Sequence, residues 1–420
     1  MRVLLVGSGG REHALAWKIS RSPLVRTLWA APGNPGIAQV ATLVDLAADD
    51  VEGLARFARE QAVDLVVVGP EAPLVAGLAD RVRALGIPVF GPSAAAAEIE
   101  GSKAFAKEVM LAAGIPTAAH GTFEAPEPAL AWARARGGRV VVKADGLAAG
   151  KGVVVCGGMD EVEEALRAIL VERVHGGAGA RVLVEELLTG PEASCIGITD
   201  GERVRMLPAA QDHKRVFDGD RGPNTGGMGA FSPTPEVSAE LLATVEREVL
   251  VPAVRELARR GRPFRGALSD GLMLTPDGPR VLEFNARLGD PETQPLLMRL
   301  AGDVVPALLA AARGDLSGVT LEIDRRAAAG VVLAAEHYPA RPAAGDVIEG
   351  AGGPFEEGVQ VFHAGTRRTP DGRLVTAGGR VLTVCALGDD VADAARRAYA
   401  AAEQIRFRGE HHRRDIGKKP

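Results

Sequence analysis

Three residues in the run Leu282-Glu283-Phe284-Asn285-Ala286-Arg287 are spaced by two. Strand side chains two apart fall on one face, so Glu283, Asn285 and Arg287 are expected to project together. Carboxylate and amide oxygens are hard donors. They suit Mg²⁺, which takes oxygen ligands near an octahedron and shares them with phosphates. A guanidinium beside them can neutralise a substrate carboxylate or a phosphoryl group in transfer. The plain alternative is a charged strand face paired within itself.

Glycine loops supply the second set. Lys143-Ala144-Asp145-Gly146-Leu147-Ala148-Ala149-Gly150-Lys151-Gly152 follows a strand-like run. It is not a P-loop. Gly146 and Gly150 are too close, Gly152 stands where Ser or Thr should meet a metal, and a strand follows instead of a helix. The run reads as a mobile flap over nucleotide phosphates. Lys143 is then a fixed phosphate ligand and Lys151 rides on the flap; a solvated hairpin turn is the alternative. Gly7-Ser8-Gly9-Gly10-Arg11-Glu12 turns a strand into a helix, where backbone N–H groups favour an anion. Glu12 occupies the place where a dinucleotide fingerprint needs glycine, so the loop signals phosphate more than nicotinamide.

Two weaker signals follow. The run 182–188 reads as a strand whose end can offer backbone groups to an adenine edge, with Glu192 placed for ribose hydroxyls. Adjacent glutamates such as Glu185 and Glu186 are, however, usually solvent-facing. The stretch 211–233 is polar, rich in glycine, and contains Asp212-His213-Lys214-Arg215. A connection this long is usually functional or disordered. His213 beside two basic residues makes a poor base, so this stretch is expected to position substrate.

The elements that must hold these residues alternate. Strand patterns at 2–7, 27–31, 64–68 and 89–90 are separated by helical stretches at 11–20, 51–61 and 74–85. That alternation means a doubly wound parallel sheet, expected to end near Gly101. A helix over 102–113 opens a second region, 102–325, with a small lid of short strands at about 120–190 and a larger lobe at about 191–325. Strands near 268–274 and 280–284 belong to that lobe. A last mixed unit is expected over 326–420, with strands at 328–333, 359–364 and 380–386 and a helix over 391–404. The fold class is thus α/β and α+β.

Bulk composition narrows the function. The 420 residues exceed one core. Aromatics are 4%, so the cores must be built from Ala, Val and Leu. A net charge of −5 argues against a general nucleic-acid binder, which needs a basic face. Cys156, Cys195 and Cys385 form no CxxC and are expected to be core residues, as in a reducing compartment. No leader pattern and no membrane-length apolar run is evident. A cytoplasmic monomer with a single activity is the expectation.

Taken in order, the motifs resemble the ATP-grasp superfamily and, within it, the glycinamide ribonucleotide synthetases. The resemblance rests on GSGGREHA from Gly7, PGN from Pro32, GPEAPL from Gly69, KADGLAAGKGV from Lys143, DHKRVFDGDRGPNTGGMGAFSP from Asp212 and LEFNARLGDPETQ from Leu282, with VFHAGT and RRDIG in the tail. It covers nearly the whole chain and implies an ATP-grasp architecture. It also implies ligation of glycine to 5-phosphoribosylamine with ATP and Mg²⁺ or Mn²⁺, through glycyl phosphate. By resemblance, Lys103, Lys143 and the flap (Gly146, Leu147, Gly150, Lys151, Gly152) bind ATP phosphates. Glu185 and Leu188 meet adenine through their backbones, and Glu192 holds ribose. Glu283 and Asn285 bind the metal, and Arg287 and Asp212 handle glycine. Gly9, Gly10, Arg11, Glu12, Asn34 and Glu71 to Pro73 hold phosphoribosylamine, with Lys214 and Asp290 as further substrate contacts.

Two departures stand out. Ser269-Asp270 replaces a usual Tyr-Ala pair, and Leu288 replaces a phenylalanine. The second should be a packing change. Asp270 either alters metal preference or points outward, and the outward reading is favoured. Three rivals stay open: another ATP-grasp ligase, a nicotinamide-dependent oxidoreductase using the first lobe, and a non-catalytic nucleotide binder. Glu12 counts against the second, and the joint presence of Lys143, Glu283, Asn285 and Arg287 against the third.

Overall fold

The structure is a computed structural model and describes residues 1–148 and 152–418. The predicted Gly150 and Lys151 lie outside the described residues.

Parallel strands form the N-terminal sheet in the spatial order Thr42–Leu43, Thr27–Pro32, Arg2–Gly7, Leu65–Val68, Val89–Phe90. Both faces of the central strands are covered, which is why they read as unbroken apolar runs. Strand order turns around between Arg2–Gly7 and Leu65–Val68. That leaves a crevice at their carboxyl ends, the usual ligand position in such sheets. The helix expected over 74–85 is two short helices, Glu71–Val75 and Leu78–Arg83. Gly77 between them has φ +89°, a left-handed turn that no helix can continue through.

The lid is an antiparallel sheet in the order His120–Phe123, Val182–Glu186, Val140–Ala144, Val153–Cys156. It has a separate core around Val140, Val142, Val162 and Leu166. A central antiparallel sheet runs Val204–Met206, Glu192–Thr199, Gly266–Thr275, Gly278–Asn285. It packs through Leu268 and Phe284 on the helices Lys103–Ala112 and Val251–Arg259. Ser102 caps the first of these: its hydroxyl accepts the Phe105 N–H. Asp145, at the end of a lid strand, accepts hydrogen bonds from the Ser102 hydroxyl and the Ala104 N–H at 3.0 Å each. The lid loop is thereby tied to the helix that carries Lys103.

The final sheet crosses the boundary expected at Arg326. Its order is Gln211–Asp212, Gly229–Ser232, Ala327–Ala334, Arg380–Gly388, Val359–His363. Two of its strands therefore come from the stretch read as a connecting loop. Within that stretch Arg215–Phe217 pairs with Arg221–Asn224 as a hairpin. The polar residues there alternate with buried Val216, Met228, Ala230 and Phe231, enough apolar surface to seat short strands. Ser194 and Ala210 exchange backbone hydrogen bonds of 2.9 and 3.0 Å, joining this sheet to the central one.

The cores are built mainly from Ala, Val and Leu. The N-terminal unit docks on the last sheet through side chains. His363 N–H donates to His13 Nδ1 at 2.7 Å, and Asn34 Nδ2 donates to the His363 carbonyl at 2.8 Å. Burial pushes His13 down to about 3, so it accepts that bond as a neutral ring. Among the described residues, no helix is long and apolar enough to cross a membrane.

Candidate active site

Lid sheet, central sheet and N-terminal crevice enclose a cavity of about 1410 Å³. Its lining gathers Lys103, Lys143, Gly146, Leu147, Gly152, Glu185, Leu188, Glu192, Asp212, Lys214, Glu283, Asn285 and Arg287, together with Arg11, Glu71, Lys107 and Asp290. Gly9, Gly10, Glu12, Asn34 and Pro73 are not among the residues that line it.

Glu283, Asn285 and Arg287 project as period two requires, with Phe284 and Ala286 buried behind them. Burial opposes ionisation of Glu283, yet Lys214, Lys143, Lys103 and Arg287 hold its carboxyl below the usual carboxylate range. Among the described residues nothing donates a hydrogen bond to it. Asn285 Oδ1 accepts from Arg287 at 3.2 Å. No group of three or more His, Cys, Asp or Glu forms a metal cage among the described residues. One free carboxylate and one amide oxygen instead fit a cation that keeps its water and shares phosphate oxygens, as Mg²⁺ does.

Arg287 is the centre of an acidic ring. It lies 3.4 Å from Glu71 and 3.2 Å from Glu100. Burial alone would lower it, but Glu100 and Glu71 raise it above the ordinary arginine range. Asp290 is paired with Arg380 at 3.0 Å, and Arg380 also donates to the carbonyls of Gly226 at 2.6 Å and Asp290 at 2.8 Å. The last sheet thus reaches into the site through Arg380.

Lysines gather around the strand that carries Glu283. Lys143 is buried, 2.7 Å from Glu185, and donates to the Leu282 carbonyl at 3.0 Å. That carbonyl is available because the ladder slips there: Gly271 faces Glu283 while Leu272 faces Val281, leaving Leu282 bulged. Lys107 meets the same Glu185 at 2.9 Å. Burial works against Glu185, yet Lys143 and Lys107 hold its carboxyl down. Lys103 donates to the Gly146 carbonyl at 3.0 Å. Lys214 and Glu192 pair at 2.8 Å. Asp212 is pushed up to about 7, chiefly by burial, with Glu292 and Glu192 adding to it against Lys214.

Three expectations change. Glu12 is not turned to the cavity: it accepts the Gly9 N–H at 2.6 Å and Arg11 Nε at 2.5 Å, bracing the glycine loop from within. A carboxylate at the third position of a helix serves its own N-terminus first. Asn34 is spent on the Ser8 and His363 carbonyls and on the N–H groups of Gly36 and Ile37. Asp270 does not point outward; it is 1% exposed. Its strand is central and covered on both faces, so no outward face exists. One carboxyl oxygen accepts the Cys195 N–H at 3.2 Å, the other has no partner among the described residues, and burial pushes the group up to about 8.

Sequence reasoning missed Lys107, Glu100 and Arg380. Each is a lone charge in an otherwise ordinary element. Lys107 had one readable sign, since it lies four residues after Lys103 and shares its helix face. His213, expected to be a poor base, is pushed down to about 4 by burial and by Arg413.

Comparison with known proteins fits this geometry. The family described as phosphoribosylglycinamide synthetase matches in three parts: its N domain at residues 1–100, its ATP-grasp (A) domain at 101–293 and its C domain at 328–419. A phosphoribosylamine–glycine ligase of Vibrio vulnificus is 51% identical, over 99% of this chain and 98% of its own length. One from Caulobacter vibrioides is 52% identical, with 99% and 98% covered. The crystal structure of phosphoribosylamine–glycine ligase from Thermotoga maritima superposes with a TM-score of 0.86 at 34% identity, covering 99% of this chain and 100% of that one. The biotin carboxylase domain of Hydrogenobacter thermophilus 2-oxoglutarate carboxylase, solved with MgADP, ADP and bicarbonate, shares the fold alone, with a TM-score of 0.76 at 18% identity, covering 97% of this chain and 91% of that one. With its N-terminal parallel sheet, antiparallel lid and central sheets and three matched parts, the chain belongs to the phosphoribosylglycinamide synthetase family.

Proposed function

We propose that this chain joins glycine to 5-phosphoribosylamine at the expense of ATP, giving glycinamide ribonucleotide, ADP and phosphate, an early step of purine synthesis. The observation that carries the reading is the gathering, in the lining of one cavity, of Lys103 and Lys143 with Glu283, Asn285 and Arg287. Phosphoryl transfer asks a protein mainly for positioning and charge neutralisation, and these two sets of residues supply that.

In this reading the two lysines meet the triphosphate, and the backbone around Glu185 and Leu188 meets adenine. Glu192 leaves Lys214 to hold ribose. Arg287 orients the glycine carboxylate towards the γ-phosphate, and glycyl phosphate forms. The amine of phosphoribosylamine then displaces phosphate; Arg11, Asp290 and Glu71 hold that substrate at the crevice. Asp212, whose carboxyl burial pushes up to about 7, handles glycine together with Arg287. Glu283 and Asn285 hold Mg²⁺ or Mn²⁺, which when bound neutralises phosphate charge. The protein acts as a cytoplasmic monomer.

The test is phosphate release from ATP and Mg²⁺ with glycine and fresh phosphoribosylamine each present or omitted. Release that needs both, with glycinamide ribonucleotide as product, is expected. Release with another carboxylate or amine, and none with this pair, would keep an ATP-grasp ligase and discard this substrate assignment.

A further inference from the structure

A chain of contacts runs from the lid to the strand that carries Glu283. Lys143 and Lys107 approach different oxygens of one buried carboxylate, Glu185, at 2.7 and 2.9 Å. Lys107 Nζ also donates to the Thr117 hydroxyl at 2.6 Å, and that hydroxyl donates to the Val281 carbonyl at 2.6 Å. Lys143 donates to the next carbonyl, that of Leu282. The two lysines therefore hold the consecutive carbonyls at the bulge just before Glu283, one directly and one through Thr117. All three charged side chains are at least nine-tenths buried.

Charge arithmetic gives this trio a purpose. One carboxylate against one ammonium is neutral and offers a phosphate a donor but no net charge. One carboxylate shared by two ammoniums leaves a net positive charge. We propose that Lys107, which lines the same cavity as Lys143, is a positioning residue: it takes half of Glu185 so that Lys143 stays free to bind phosphate. The inference rests on the reading that Lys143 meets ATP. Without Lys107, Glu185 is left with an unpaired oxygen in a buried place and draws Lys143 onto both oxygens, because an uncompensated buried charge is costly.

The test is direct binding of a non-hydrolysable ATP analogue with Mg²⁺ by calorimetry, on the full chain. Lys107→Met should weaken binding about tenfold, the loss of one charge-assisted contact. Lys107→Arg should keep most of it. Adding Glu185→Gln to Lys107→Met should restore affinity to within about threefold, since Lys143 then stands uncancelled. A purely structural role would not be rescued by neutralising a second residue. Unchanged affinity in folded Lys107→Met, or a double variant as weak as the single one, overturns the proposal. If Lys107→Met does not fold, Lys107→Gln with and without Glu185→Gln is the second probe: a weakened single variant and a restored double variant are expected, and a double variant as weak as the single one overturns the proposal. A wild-type chain that binds no nucleotide would overturn the ligase reading instead.

Discussion

Ser269 donates its hydroxyl hydrogen to the carbonyl of Arg287 at 2.7 Å. Ser269 faces Asn285 across the ladder, so the bond fixes the backbone just beyond the point where strand pairing stops. Arg287 has left the strand, and this bond keeps its side chain in step with Glu283 and Asn285. Ser269→Ala should cost about 1 kcal/mol of stability and lower kcat/KM for glycine severalfold while leaving nucleotide affinity alone. Equal losses for glycine and ATP would show that the bond serves the sheet and not the arginine.

Glu283→Gln should remove most turnover and leave the melting temperature within a few degrees. An amide keeps the shape but surrenders the charge that four surrounding cations now hold ionised. Turnover close to that of the wild type would remove Glu283 from the metal assignment.

Asp270 sets a pH dependence of stability. Its ordinary value is 3.8 and the fold pushes it up to about 8. The folded state thus binds more protons than the unfolded one between those values, and stability falls as pH rises. The contribution of this group is full below about pH 4 and lost by about pH 8. Asp270→Asn keeps the shape without the ionisation. The melting temperature of the wild type should therefore drop further than that of the variant between pH 5 and pH 9, by several degrees, the shift for about 4 kcal/mol. Parallel curves for the two proteins would refute the assignment.

Glu12→Ala should weaken use of phosphoribosylamine more than binding of ATP, although Glu12 itself faces away from the cavity. It braces Gly9 and steadies Arg11, whose guanidinium also donates to the Leu288 carbonyl at 3.1 Å. The lost cap should add about 1 kcal/mol of destabilisation. A rise in KM for ATP equal to that for phosphoribosylamine would place the loop elsewhere in the mechanism.

The layout of the first sheet was readable because strands buried on both faces have no polar alternation to confuse with helix. The 283–285–287 face was readable because a period of two survives any packing. Orientation of single charges was not. Glu12 and Asp270 look alike in sequence to a ligand and a surface acid, yet one caps its own helix and the other is walled in by strands on either side. Lys107, Glu100 and Arg380 acquire their roles only from partners far away in the chain: Glu185, Arg287 and Asp290. The pairing of Gly229–Ser232 with Ala327–Ala334 was equally silent, since a four-residue strand set in a polar, glycine-rich stretch needs a neighbour before it registers as a strand.

That pairing has a mechanical consequence. Through it, and through the Ser194–Ala210 bonds, the floor of the chamber is one continuous backbone fabric from Glu192 to Gly388. The roof meets that floor by side-chain tethers such as Lys143 on Leu282, beyond a hinge where Thr117 bridges Val281. Side-chain tethers part more readily than ladders. Lifting the roof would therefore break side-chain contacts and leave intact the ladders of the floor, with the strand that carries Glu283.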